Sequence, residues 1–128
     1  MNPELPFGGS GFRYTRAEAL RDGVLHDITG VAAECADLQV PAALTQGLWR
    51  ALAGDAPFNP QDPRLRELGY GFAFAAAGLT PGGWAGRKDG GEFAFRFRQG
   101  ACWMHARLRV SPGDQGEPVV TFMLPRDD

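Results

Sequence analysis

The chain has 128 residues, enough for one domain with a single core, since at this size roughly two thirds of the unfolded surface is buried without metal or disulfide staples. Thirteen Lys and Arg against fifteen Asp and Glu leave a net charge of -2, which argues against the broad positive field of a nonspecific nucleic-acid binder. Any basic patch must be local. Twelve of the thirteen cations are arginine, which suits planar, bidentate recognition of carboxylate or phosphate, although a GC-rich genome also favours arginine codons.

The opening MNPELPFGGSGF lacks the cationic start and apolar core of a secretory signal, and no run reaches the length of a membrane span, so a cytoplasmic protein is expected. Residues 1–11 are rich in Pro, Gly and Ser and read as a disordered lead to a single domain over 12–128. Thr15 and Glu18 have capping-box spacing and predict a short helix to Asp22, ended by Gly23. Val24 to Ile28 reads as a short strand. Thr29 is placed as the cap of a second short helix carrying Val31, Ala32 and Cys35 on its inner side. Pro41 fits a first helical position, and Leu44, Leu48 and Leu52 form an apolar stripe at spacing four, with Trp49 beside them, on a helix that stops at Gly54. Asp62 and Pro63 open the next helix, whose buried stripe is Leu65, Leu68, Phe72, Ala75 and Leu79. Gly69, Gly71 and Gly78 weaken it. Residues 80–91, TPGGWAGRKDGG, read as a flexible connection.

Two alternating patterns follow. Phe93, Phe95 and Phe97 oppose Ala94, Arg96 and Arg98 on one strand, and Cys102, Met104, Ala106, Leu108 and Val110 oppose Trp103, His105, Arg107 and Arg109 on the next. A two-residue Gln99-Gly100 turn predicts a hairpin pairing Phe95 with Met104, Phe97 with Cys102, Arg96 with Trp103, Ala94 with His105 and Glu92 with Arg107. A third strand, Pro118 to Leu124, follows a Pro-Gly-Asp-Gln-Gly turn. The fold class is therefore α+β: short N-terminal helices and a strand, two longer helices, and a C-terminal three-stranded antiparallel meander.

Little of this is chemical machinery. The glycine-rich loop lacks the Gly-Lys-Ser/Thr ending of a phosphate loop and precedes a strand where that motif needs a helix. A tether from which Trp84, Arg87 and Lys88 reach a partner fits it better, and plain disorder fits it better still. Cys35 and Cys102 lack CxxC spacing and read as buried reduced thiols, so no metal site or cofactor is expected. His26 and Asp27 point to opposite faces of their strand, and the carboxylates Asp22, Asp27, Asp114 and Glu117 sit where caps and turns use them. What remains is a sheet face carrying Arg96, Arg98, Trp103, His105, Arg107 and Arg109. Arginines interleaved with an aromatic are enriched in interface hot spots, although a solvated outer sheet face is the simpler reading.

Phe12, Tyr14-Thr15-Arg16, Ala19-Leu20, Asp22-Gly23-Val24-Leu25, Asp27 and Thr29 open the chain with YTR-x-x-AL-x-DGVL-x-D-x-T, and Pro41, Ala43-Leu44-Thr45 and Trp49 continue the pattern. Pro112-Gly113-Asp114, Gly116-Glu117-Pro118-Val119 and Met123-Leu124-Pro125 close it. Together these resemble an uncharacterised family of small proteins encoded on bacterial plasmids, integrated elements and some phages. His26 departs from the aliphatic residue expected there. The resemblance implies a setting in which accessory proteins blunt host defences by binding. The reading that follows is a non-enzymatic interaction protein that inhibits or modulates a nucleic-acid-targeting defence such as CRISPR interference, with a host protein or ribonucleoprotein as partner. Two rivals stay open. One is a small hydrolase or transferase using Asp22, Asp27 or His105; the other is a nucleic-acid-binding accessory protein using the arginine face.

Overall fold

The computed structural model describes residues 14–80 and 86–127, so the lead over 1–11 and the tether residue Trp84 lie outside the described residues. The elements are α1 (Arg16–Asp22), β1 (Leu25–Asp27), α2 (Thr29–Ala36), β2 (Ala42–Thr45), α3 (Gln46–Ala53), α4 (Pro63–Ala76), β3 (Arg87–Asp89), β4 (Glu92–Gln99), β5 (Cys102–Pro112) and β6 (Pro118–Met123). The six strands form one mixed sheet in the order β1-β2-β6-β5-β4-β3, in which only β2 and β6 run parallel. The fold is α+β, and β4-β5-β6 is the antiparallel meander expected at the C-terminus. Among the described residues no helix is long and apolar enough to cross a membrane.

Local signals account for the helix ends. Thr15 and Glu18 make both halves of the capping box at the start of α1, and Gly23 closes it at φ 78° with the amides of Gly23 and Val24 bonded back to Leu20 and Ala19. Asp62 and Pro63 open α4 as expected. Its end is earlier than the stripe suggested. Gly78, at φ 74°, donates to the Ala75 carbonyl and Leu79 to that of Phe74, a Schellman stop that leaves Leu79 exposed. Gly78 therefore ends the helix where it was expected only to weaken it. Thr29 does not cap α2 but is its first residue, after an Ile28 N-cap that makes no side-chain bond: the Asp27 carboxylate accepts from the amide and hydroxyl of Thr29, while the Thr29 hydroxyl accepts from the Ala42 amide.

The largest correction lies at residues 41–45. The segment expected to begin a helix at Pro41 is β2, a central strand between β1 and β6, and the helix starts only at Gln46, capped by the Thr45 hydroxyl. Ala42, Ala43 and Leu44 are buried on both sides of the sheet, and a fully buried strand has no alternation to show. Leu44 meets the Leu48 stripe because both face the same core. The region expected to be a flexible connection also holds structure, since β3 pairs Arg87 with Ala94 and Asp89 with Glu92 across a Gly90-Gly91 turn.

The hairpin forms with the predicted faces but a register moved by two residues. Phe95 stands opposite Ala106, Phe97 opposite Met104, Arg98 opposite Trp103, Arg96 opposite His105, Ala94 opposite Arg107 and Glu92 opposite Arg109. The turn is Gly100-Ala101, because glycine at the first central position takes the positive φ, 61°, that primed hairpin turns require there; Gln99 in that position would be strained. A shift of two keeps every side chain on its face. It also carries Cys102 to the hairpin tip, where it is exposed, so only Cys35 is the buried thiol expected.

One core fills the space between the sheet and α2, α3 and α4, with Trp49, Phe95, Phe97, Phe122, Leu44 and Leu48 among its fully buried side chains. Both central glycines of α4 are contact points. A Cβ on Gly69 would lie 2.8 Å from Cys35 Cβ, and one on Gly71 would lie 2.2 Å from Phe97 Cβ. On the opposite face α1 is tied to β6 by Arg16, which donates to the Thr121 hydroxyl and the Val120 carbonyl.

Candidate functional site

Hairpin geometry decides which of the six predicted face residues can act. Glu92 sits opposite Arg109 and one step from Arg107, and its two oxygens take one guanidinium each, at 2.6 Å from Arg107 and 2.8 Å from Arg109. Arg107, its side chain only 16% exposed, also donates to the Asp127 carbonyl. Asp127 in turn accepts from the Thr45 hydroxyl at the start of α3. Arg107 therefore ties β5 to Asp127, and Glu92 engages the guanidinium groups of both Arg107 and Arg109.

Hydrogen bonds from Arg109 and then Arg107 hold the Glu92 carboxyl below the usual carboxylate range. A carboxyl lowered by folding contributes stability above its unfolded pKa of about 4.3 and loses it as pH falls through the folded value. The stability gap between the native chain and Glu92→Gln is accordingly expected to be full at pH 7 and to close below about pH 4. Chemical denaturation midpoints across that range provide the check; a gap independent of pH would show that the clamp is not ionic. Glu18, lowered by its hydrogen bonds with Thr15, and Asp62, lowered by Arg64, keep the same acid sensitivity in both proteins.

The remaining part of the face is brought together with residues that the sequence reading passed over. Trp103 is 37% exposed, with the Arg96 guanidinium 4.5 Å and that of Arg98 5.9 Å from its ring centroid. Across a cleft of about 270 Å³ stands α4, which presents Glu67, Tyr70 and Phe74, with the buried Phe97 and Thr80 also lining it. Tyr70 is 46% and Phe74 52% exposed. Their periodicity was legible: the inner stripe of buried Leu65, Leu68 and Ala75 with half-buried Phe72 leaves Glu67, Tyr70 and Phe74 at spacings of three and four on a neighbouring flank. Glycine at position 71 lets this flank approach β4. His105 is exposed on the same sheet face but does not line the cleft.

The carboxylates proposed for catalysis are used elsewhere. Asp22 accepts from the Tyr14 hydroxyl, Asp27 holds Thr29, and the two oxygens of Asp114 accept the Arg16 and Ala17 amides at the start of α1. Glu117 accepts from the Gln115 amide. Asp27 is on β1 and His105 on β5, three strand spacings or about 14 Å apart, so the residues of the hydrolase rival do not converge. His26 stacks on Phe58 at 4.3 Å and bonds to Gln46. A second cleft of about 490 Å³ lies between α1 and the β5–β6 turn, but its Arg16 and Asp114 are engaged in the contacts just given. Among the described residues no group of three or more His, Cys, Asp or Glu is placed to hold a metal ion. No family model, no curated protein and no solved structure matches the chain.

Proposed function

We propose that this chain is a non-enzymatic protein-interaction module whose binding surface is the cleft between α4 and the β4–β5 hairpin. In the setting implied by its YTR…DGVL and PGD…MLP motifs, it acts in the bacterial cytoplasm as an inhibitor or modulator of a host nucleic-acid-targeting defence such as CRISPR interference. The observation that carries the binding reading is the gathering of Tyr70, Phe74 and Trp103, all exposed, around arginines 96 and 98. Large aromatics left in water beside arginine are the composition of interface hot spots, and the fold gains nothing from exposing them. The Glu92 clamp weighs against the nucleic-acid rival, because it neutralises half of the arginine face on which that rival depends.

Retention of a targeted plasmid in cells running CRISPR interference, with and without this chain, tests the proposal. The native chain is expected to raise retention and Trp103→Ala to abolish the gain, since truncating a hot-spot aromatic removes about 2 kcal/mol or more of binding. Full protection by a folded Trp103→Ala protein would refute it. Protection that depends steeply on salt in a reconstituted assay would favour phosphate contacts instead.

A further inference from the structure

We propose that the cleft between α4 and the hairpin receives one aromatic side chain from an acidic segment of a protein partner. This deepens the interaction reading above and rests on it.

Size selects the kind of occupant. A cavity of about 150 Å³ holds benzene, whereas sites for whole drug-sized molecules begin near 300 Å³. At about 270 Å³ the cleft suits a single ring with the stem that carries it. Its walls agree, because Tyr70, Phe74 and Trp103 offer ring faces and edges to an aromatic guest, and the buried Phe97 also lines it. A free nucleotide fits less well, since most of its surface is polar and the walls are carbon.

Charge and hydrogen bonding then fix the flanks. Arg98 is exposed at the hairpin rim, where its Nε donates to the Gly100 carbonyl, and Arg96 lies over the Trp103 ring. Carboxylates on either side of the inserted ring would meet this cationic rim, while Glu67 on the helix wall repels them and so sets the direction in which the segment lies. Thr80, which also lines the cleft, is only 6% exposed, and among the described residues its hydroxyl has no hydrogen-bond partner. A buried hydroxyl left without a partner is costly, and a backbone group of the inserted segment would satisfy it.

The probes are three blocked pentapeptides: Asp-Glu-Phe-Glu-Asp, the same with Ala at the centre, and Lys-Lys-Phe-Lys-Lys. Each is titrated into 15N-labelled full-length protein and followed by amide and indole NMR shifts. The acidic Phe peptide is expected to shift the Tyr70, Phe74, Thr80 and Trp103 signals and to bind about tenfold or more tightly than either control. Phe74→Ala should weaken it by a similar factor, and Arg98→Glu should reverse the preference between acidic and basic peptides. Equal binding of all three peptides, shifts confined to other surfaces, or self-association of the chain through the same residues would overturn the proposal. If no peptide binds yet Trp103→Ala still abolishes plasmid protection, this inference fails while the interaction reading stands. If Trp103→Ala protects fully, the interaction reading itself fails.

Discussion

Replacing Phe95 with alanine is expected to destabilise the protein by about 3 to 5 kcal/mol, the range for a fully buried aromatic. Its side chain is 1% exposed and lies on β4, one strand in from the sheet edge. Ring centroids of Phe72, Phe97, Phe122 and Phe93 surround it at 5.4, 6.1, 6.1 and 6.2 Å. These rings are held on α4, β4 and β6, so they cannot all move inward, and the residue opposite on β5 is only Ala106. The cavity would stay open, which puts the cost at the upper end of the range. Since whole domains are stable by about 5 to 15 kcal/mol, the variant should be close to unfolding at room temperature. Phe93→Ala, at a half-buried position, should cost clearly less. Guanidinium denaturation with an unchanged m-value would measure both, and a loss under about 1 kcal/mol for Phe95→Ala would show that the ring cluster around Phe95 is not where the core is tightest.

What could be read from the sequence follows the distance over which each signal acts. Capping at Thr15 and Asp62 needs only neighbours along the chain, and both caps formed as expected. Alternation in β4 and β5 assigned every side chain to its face. Register within the hairpin depended on one turn, and there the choice between Gln99-Gly100 and Gly100-Ala101 turned on which residue takes positive φ. β2 was hidden for a tertiary reason: a strand buried on both faces between β1 and β6 carries no period, and the chance spacing of Leu44 and Leu48 imitated a helix. Half of the site was legible in the same way. Arg96, Arg98 and Trp103 were found because strand alternation puts them on the open face. Tyr70 and Phe74 come from a helix 20 or more residues earlier, and nothing local says that α4 packs on this edge of β4. Nor does alternation tell an arginine that is free to bind from one clamped by Glu92; that distinction between Arg98 and Arg107 needs the pairing itself.

The contact that brings α4 to the hairpin is the source of the last expected result. Gly71 lies inside α4, so alanine there should by helix propensity stabilise the protein by about 1 kcal/mol. Packing opposes this, because the new Cβ would lie 2.2 Å from Phe97 Cβ and 3.2 Å from its Cα. Neither atom is the end of a flexible side chain; both are fixed to the centre of β4, and relief requires the helix to lift from the sheet. Overpacking of this kind costs about 1 to 3 kcal/mol when side chains can adjust. With backbone-fixed atoms the upper end applies, leaving a net loss of about 2 kcal/mol after the propensity gain. Gly30→Ala in α2 is the control, since nothing lies within 4 Å of its new Cβ, and that variant should be neutral or slightly stabilised. If Gly71→Ala were as stable as Gly30→Ala in thermal and chemical unfolding, the close approach of α4 to β4 would be wrong. If it is destabilised yet folded, Tyr70 and Phe74 should stand farther from Trp103, and binding in the cleft should weaken with Tyr70, Phe74, Arg98 and Trp103 all unchanged.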